Sequence, residues 1–123
     1  MRSIAQRRGQ KAFRDTLIVA YEGRCAVTEC SISDVLEAAH IHPYRGPETN
    51  KVGNGLLLRT DVHTLFDCGL LAVDHEKMTL LVAPQLRDSE YGAFHGRKLR
   101  TPRDPRQWPS KDALNLHRVS VGL

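Results

Sequence analysis

Residues 43–53, PYRGPETNKVG, hold two prolines, two glycines and an asparagine between two short apolar runs. Proline lacks an amide donor and glycine tolerates backbone conformations closed to other residues, so the stretch reads as a loop. The run before it, VLEAAHIH (residues 35–42), reads as a strand that Pro43 ends. The run after it, NGLLLR (54–59), reads as the strand that returns on the first. A long-looped hairpin near the middle of the chain is therefore the frame on which everything else must pack.

The segment after the hairpin is short. Thr60 suits a helix N-cap and Asp61 suits the positive end of the helix dipole, so a helix is expected over about 61–68, with Gly69 as its left-handed C-terminal residue. Residues 70–75 and 78–83 read as a second hairpin around Glu76-Lys77. Ahead of the first hairpin, Phe13, Leu17, Ala20 and Tyr21 form one apolar stripe, which predicts an amphipathic helix over 10–22 stopped by Gly23. Residues 1–8 read as a flexible basic lead-in, and 24–34 as turns. A short helix is expected near 86–92, irregular chain over 96–110, and a last helix over 110–118 capped by Ser110. Helices and hairpins in that order make an α+β protein. At 123 residues they are expected to form a single domain, residues 1–123, with one core.

Composition excludes several classes. No apolar run approaches the ~20 residues needed to span a bilayer. The basic N-terminus lacks the apolar stretch of a secretory signal. Three cysteines do not make a disulfide scaffold, so a reducing, cytoplasmic setting is expected. The formal charge of +4 is unevenly spread: residues 1–24 carry net +4, residues 25–96 net −5 and residues 97–123 net +5. An acidic middle between two basic ends suits a polyanion-binding surface around a cation site; the plainer reading is an uneven solvated surface.

The chemistry concentrates in residues 37–67, EAAHIHPYRGPETNKVGNGLLLRTDVHTLFD. His63 and Asp67 are four apart on the expected short helix, so they share a face and can hold one divalent cation between them. His40 lies at the end of a strand, where a neutral imidazole can take a proton from water. Asn54 opens the returning strand, where its amide can tie the loop and orient the histidine, or serve simply as turn chemistry beside Gly55. Taken singly, each has an ordinary structural explanation: an exposed helical ion pair, a satisfied edge histidine, a turn asparagine. Together they form a strand base, a loop, a second strand and a helix with metal ligands.

In this arrangement the chain resembles the HNH nuclease family, over about residues 24–84, with basic flanks at 1–23 and 96–123. The strings that carry the resemblance are CAVTEC, LEAAHIHPY and NGLLLRTDVHTLFDCGLL. They look most like the HNH domains at the C-terminus of restriction-type bacterial endonucleases. The resemblance implies a ββα-metal core with an N-terminal helix, an extra hairpin and a basic C-terminal segment. It implies a metal-dependent DNA endonuclease with His40 as general base, Asn54 bridging the loop, and His63 and Asp67 as metal ligands. Arg59 would face the scissile phosphate. Arg7, Arg8, Lys11 and Arg14 at one end, and Arg97, Lys98, Arg100, Arg103 and Arg106 at the other, would contact phosphates.

The chain departs from the family pattern in two places. Ala39 stands where many members place an Asp or His ligand before the base, leaving Glu37, His42 or water to fill that place. Cys25 and Cys30 have no second cysteine pair, since Arg59 and Val62 occupy its usual position, so structural zinc is not expected and Mg²⁺ or Mn²⁺ is. DNA is the expected partner, with a separate recognition domain or a homodimer compatible with the length, and no membrane. Two rival readings are a non-catalytic DNA-binding module on the same scaffold and a small structural zinc-binding domain.

Overall fold

The computed structural model of the protein describes residues 4–123. Its centre is the expected hairpin. Strand β1 (Leu36–His40) pairs antiparallel with β2 (Gly55–Arg59), from Leu36 opposite Arg59 to His40 opposite Gly55. The Ile41 amide still donates to the Asn54 carbonyl at 2.9 Å, but the strand stops two residues short of the expected end. The reason is Asn54, whose side chain takes both backbone groups of His42: the His42 N–H donates to Oδ1 (2.8 Å) and Nδ2 donates to the His42 carbonyl (3.0 Å).

Helix α2 (Thr60–Asp67) continues from β2 without a connecting loop. Thr60 does not cap it. Arg59 occupies the capping position in an extended conformation, and its side chain makes no capping bond to a helix amide. The Thr60 hydroxyl donates instead to the Val35 carbonyl, 3.1 Å away, tying the strand-to-helix junction to the opposite side of the hairpin. The helix ends as expected: Gly69 has φ +74° and the Leu70 amide reaches back to the Leu65 carbonyl at 2.9 Å. The second hairpin, β3 (Leu71–Asp74) with β4 (Thr79–Val82), comes next.

Helix α1 runs over Ile4–Ala20, so it begins inside the segment expected to be a flexible lead-in. Alanine, glutamine and arginine favour the helix there, and one internal glycine does not break it. Phe13, Leu17, Ala20 and Tyr21 are all buried, as their spacing requires. The helix lies so close to the hairpin that a Cβ on Gly55 would come within 2.7 Å of the Phe13 ring and 2.8 Å of Leu17. Only glycine fits at the start of β2.

Two single turns of 3₁₀ helix, Pro84–Leu86 and Glu90–Phe94, replace the short helix expected near 86–92. Helix α3 (Lys111–Val121) extends past the expected end; Ser110 caps it, accepting from the Ala113 amide at 3.2 Å. One hydrophobic cluster joins α1, both hairpins, α2 and Leu114 of α3. The architecture is α+β: a ββα unit backed by an N-terminal helix and flanked by a second hairpin and a C-terminal helix. Among the described residues no helix is long and apolar enough to cross a membrane.

Candidate active site

His40 ends β1, and its ring is held on three sides. It stacks on Phe13 of α1, with centroids 4.5 Å apart and planes at 20°, and meets the Tyr44 ring edge-on at 5.6 Å. Its Nε2 lies 2.7 Å from Oδ1 of Asn50. Asn54 ties the loop, one of the two parts expected of it, and makes no side-chain bond to the histidine ring: besides both His42 backbone bonds, its Nδ2 donates to the Thr49 carbonyl at 3.0 Å.

His63 sits on α2, where the helical repeat brings its Nε2 to 3.2 Å from Oδ2 of Asp67. Its other nitrogen, Nδ1, lies 2.8 Å from Oε1 of Glu37 on β1. One imidazole between two carboxylates cannot satisfy both while neutral. If Nδ1–H donates to Glu37, the Nε2 lone pair faces a carboxylate oxygen, and either a second ring proton or a metal cation between them relieves that repulsion. Two neighbouring ligands of a small divalent cation at about 2.1 Å lie about 3 Å apart, the spacing seen here. The residues therefore fit a cation. Among the described residues no cluster of three or more His, Cys, Asp or Glu is suited to hold a metal; the protein ligands available to a cation here would be His63 and Asp67. Ala39 is buried in the core, and His42 lines a separate hollow beside Leu116. Of the residues considered for the place at Ala39, Glu37 is the one beside His63, at the nitrogen turned away from Asp67.

His40, His63 and Asp67 line one cleft of about 510 Å³ with Phe13, Tyr44 and His117. His117 does not stand out in the sequence. It arrives from α3, stacks on Phe66 at 3.8 Å, and approaches the Phe66 carbonyl through Nε2 at 3.3 Å. Burial lowers its pKa, so its ring is an uncharged wall of the cleft. Asn50 does not stand out either. Its only sequence signal is its place in the loop, ten residues from the histidine it meets.

A second groove of about 850 Å³ adjoins the cleft through Gln10, Ala38 and His63, and is lined by Arg7, Lys11 and Arg14 of α1. Arg14 also donates to the carbonyls of Leu36 and Ser33, so it anchors α1 to the hairpin. Arg8 is exposed on the same helix. Arg100 lies away from this groove: its guanidinium donates to the Tyr21 carbonyl and approaches Glu22 at 3.6 Å. Arg59 makes a two-pronged pair with Asp61 at 2.7 and 2.9 Å, and Tyr91 donates to the same carboxylate. These bonds, Arg59 first, hold the Asp61 pKa down to about 2. Arg59 is not among the residues that line the cleft. The three cysteines are free; Cys25 is buried with its sulfur accepting from the amides of Val27, Thr28 and Arg59.

Comparison with known proteins agrees with this architecture. Residues 25–74 match the family model described as HNH endonuclease. Among solved structures, the modification-dependent TagI restriction endonuclease superposes with a TM-score of 0.60 at 21% identity, over 85% of this chain and 35% of that one. This chain thus spans about a third of that protein's length, and the likeness is one of fold. No curated protein sequence matches. The matched segment contains both strands of the first hairpin, all of α2 and the pair His40 and His63, and over it the chain is similar to HNH endonucleases.

Proposed function

We propose that the protein is a metal-dependent endonuclease that hydrolyses DNA phosphodiester bonds. The observation that carries the reading is the shared cleft, in which a strand-borne imidazole, His40, faces the same space as the helical pair His63 and Asp67. His40 takes a proton from a water molecule as the water oxygen attacks phosphorus. The bond from phosphorus to the 3′ oxygen breaks on the opposite side, and that oxygen leaves with the bonding pair and is protonated from solvent. His63 and Asp67 would hold the cation. A divalent cation bound there supplies charge stabilisation as negative charge grows on the phosphate oxygens. Mg²⁺ or Mn²⁺ suits a site with two protein ligands, because such ions keep several waters.

The basic face of α1 supplies the path for the strand. Arg7, Lys11 and Arg14 border the groove that adjoins the cleft, which supports a role for them as phosphate-binding cations. Arg8, Arg59 and Arg100 are further candidates, of which Arg59 and Arg100 would need to exchange their present partners for phosphate. Recognition of a particular DNA sequence or modification belongs to this proposal as the work of a separate segment, and a homodimer would cut both strands.

Plasmid cleavage tests the reading. The wild-type chain is expected to nick or cut plasmid with Mg²⁺ or Mn²⁺ and to stop with chelator. His40→Ala is expected to be slower by about 10²–10⁴-fold, the weight of a positioned base. A His40→Ala chain that cuts as fast as wild type sinks the assignment. Wild-type protein that binds DNA but never cleaves, with any divalent metal, would instead favour the non-catalytic module.

A further inference from the structure

The loop that connects the two strands does more than join them. Asn54 clamps its base onto His42 and Thr49. Within the loop, the Thr49 hydroxyl donates to the Gly46 carbonyl at 2.6 Å, and the Asn50 amide donates to the Pro47 carbonyl at 3.0 Å. These bonds fix the backbone at Asn50 and turn its carboxamide onto the ring of His40, 2.7 Å away. Helix α1 closes the other side. A Cβ on Gly9 would lie 3.2 Å from Nδ2 of Asn50, so the helix passes close beside the carboxamide.

We propose that Asn50 is a positioning residue that decides which nitrogen of His40 acts as the base. The inference rests on the nuclease reading above. An amide oxygen can only accept, so the His40 nitrogen facing it carries the proton. A neutral imidazole has one ring proton. With that proton on Nε2, the lone pair is on Nδ1, and Nδ1 is the atom that takes the proton from water. The stack on Phe13 and the edge contact with Tyr44 hold the ring in its plane, so the bond to Asn50 also sets where the Nδ1 lone pair points. Asn54 makes no side-chain bond to the ring; it holds the loop that holds Asn50. The other titratable groups of the cleft, Tyr44, His63, Asp67 and His117, come from the loop, α2 and α3. It is Asn50, and none of these groups, that meets Nε2.

The test has one arm without DNA or metal and one with both. In ¹⁵N-resolved NMR of the wild-type chain above the histidine pKa, His40 is expected to show a protonated Nε2 whose proton exchanges slowly with water. Asn50→Ala should lose that slow exchange, and Asn50→Asp, which keeps an acceptor oxygen, should retain it. In plasmid cleavage, Asn50→Ala should lower kcat about 10- to 100-fold, the effect typical of removing a partner that orients a functional imidazole. Asn50→Asp should recover most of that loss. A wild-type His40 carrying its proton on Nδ1, or an Asn50→Ala chain with unchanged Nε2 exchange, overturns the inference. So does Asn50→Ala cutting at the wild-type rate while His40→Ala is inactive, and that pattern leaves the nuclease reading standing. A wild-type chain with the protected Nε2 proton but no cleavage under any metal overturns the nuclease reading and, with it, the role proposed for Asn50.

Discussion

His63 is the residue whose surroundings say most about the metal. It is about a fifth exposed and has a carboxylate at each ring nitrogen, Glu37 at 2.8 Å and Asp67 at 3.2 Å. A carboxylate accepting from the ring nitrogen that does not bind metal fixes the tautomer and strengthens the other nitrogen as a ligand. Glu37→Gln is therefore expected to weaken Mn²⁺ binding about 10- to 100-fold while leaving the fold intact, measured by titration calorimetry with Mn²⁺ alone. An unchanged affinity would mean that Glu37 merely pairs with the histidine. Singly, His40, His63 and Asp67 each have an ordinary structural explanation; it is their combined spacing that marks them as candidates, and the fold brings the three to one cleft. Asn50 did not stand out, since an asparagine in a loop of prolines and glycines looks like any turn residue until the loop is closed.

At the scale of elements, the hairpin and its two helices are held together by close approach. Gly55→Ala places a methyl group against Phe13 and Leu17, both buried in the core. That substitution is expected to cost about 1–3 kcal/mol, the usual range for overpacking a core, read from urea unfolding. Because Phe13 also stacks on His40, Gly55→Ala should lower cleavage as well as stability. The cap of α3 is a milder case: Ser110→Ala removes one bond to the Ala113 amide and should cost about 1 kcal/mol in the same experiment. Element types were legible from periodicity. Their ends were not, because ends depend on which groups take the last backbone donors and acceptors. Thr60 looked like a cap, but Val35 lies within its reach in the folded hairpin, and the hydroxyl bonds there. The start of α1 was hidden for the opposite reason: between Ile4 and Phe13 no large apolar residue recurs to show a stripe.

For the whole molecule, the uneven charge has a direct consequence. If the basic face of α1 tracks the DNA backbone, affinity should fall steeply as salt rises, since each neutralised phosphate releases counterion. Arg7→Ala with Lys11→Ala should flatten the slope of log affinity against log salt by about two, measured on the same duplex over a salt series. A flat slope in the wild-type chain would remove the basic face from the interface. Stability should also depend on alkaline pH. Tyr21 is buried, and burial raises its phenol above its ordinary value of 10.0. The unfolded chain ionises this group first. The contribution is therefore fully present below about pH 10 and is lost as the pH rises from there through the folded pKa. Melting temperature should fall on that side, and Tyr21→Phe should fall less steeply over the same range.

Short-range information was sufficient for the alternating and helical patterns, for the four-residue spacing that puts His63 and Asp67 on one face, and for a loop that is neither α-helix nor strand. All three come from backbone periodicity and from the geometry of proline and glycine, which act within a few residues. Only the tertiary structure decided which side chains meet. Asn50 reaches His40 across ten residues, Glu37 reaches His63 across twenty-six, and His117 reaches Phe66 across fifty-one. Contacts at those separations exist only when loop closure and core packing offset the entropy of bringing the ends together. No local pattern in the chain encodes that balance.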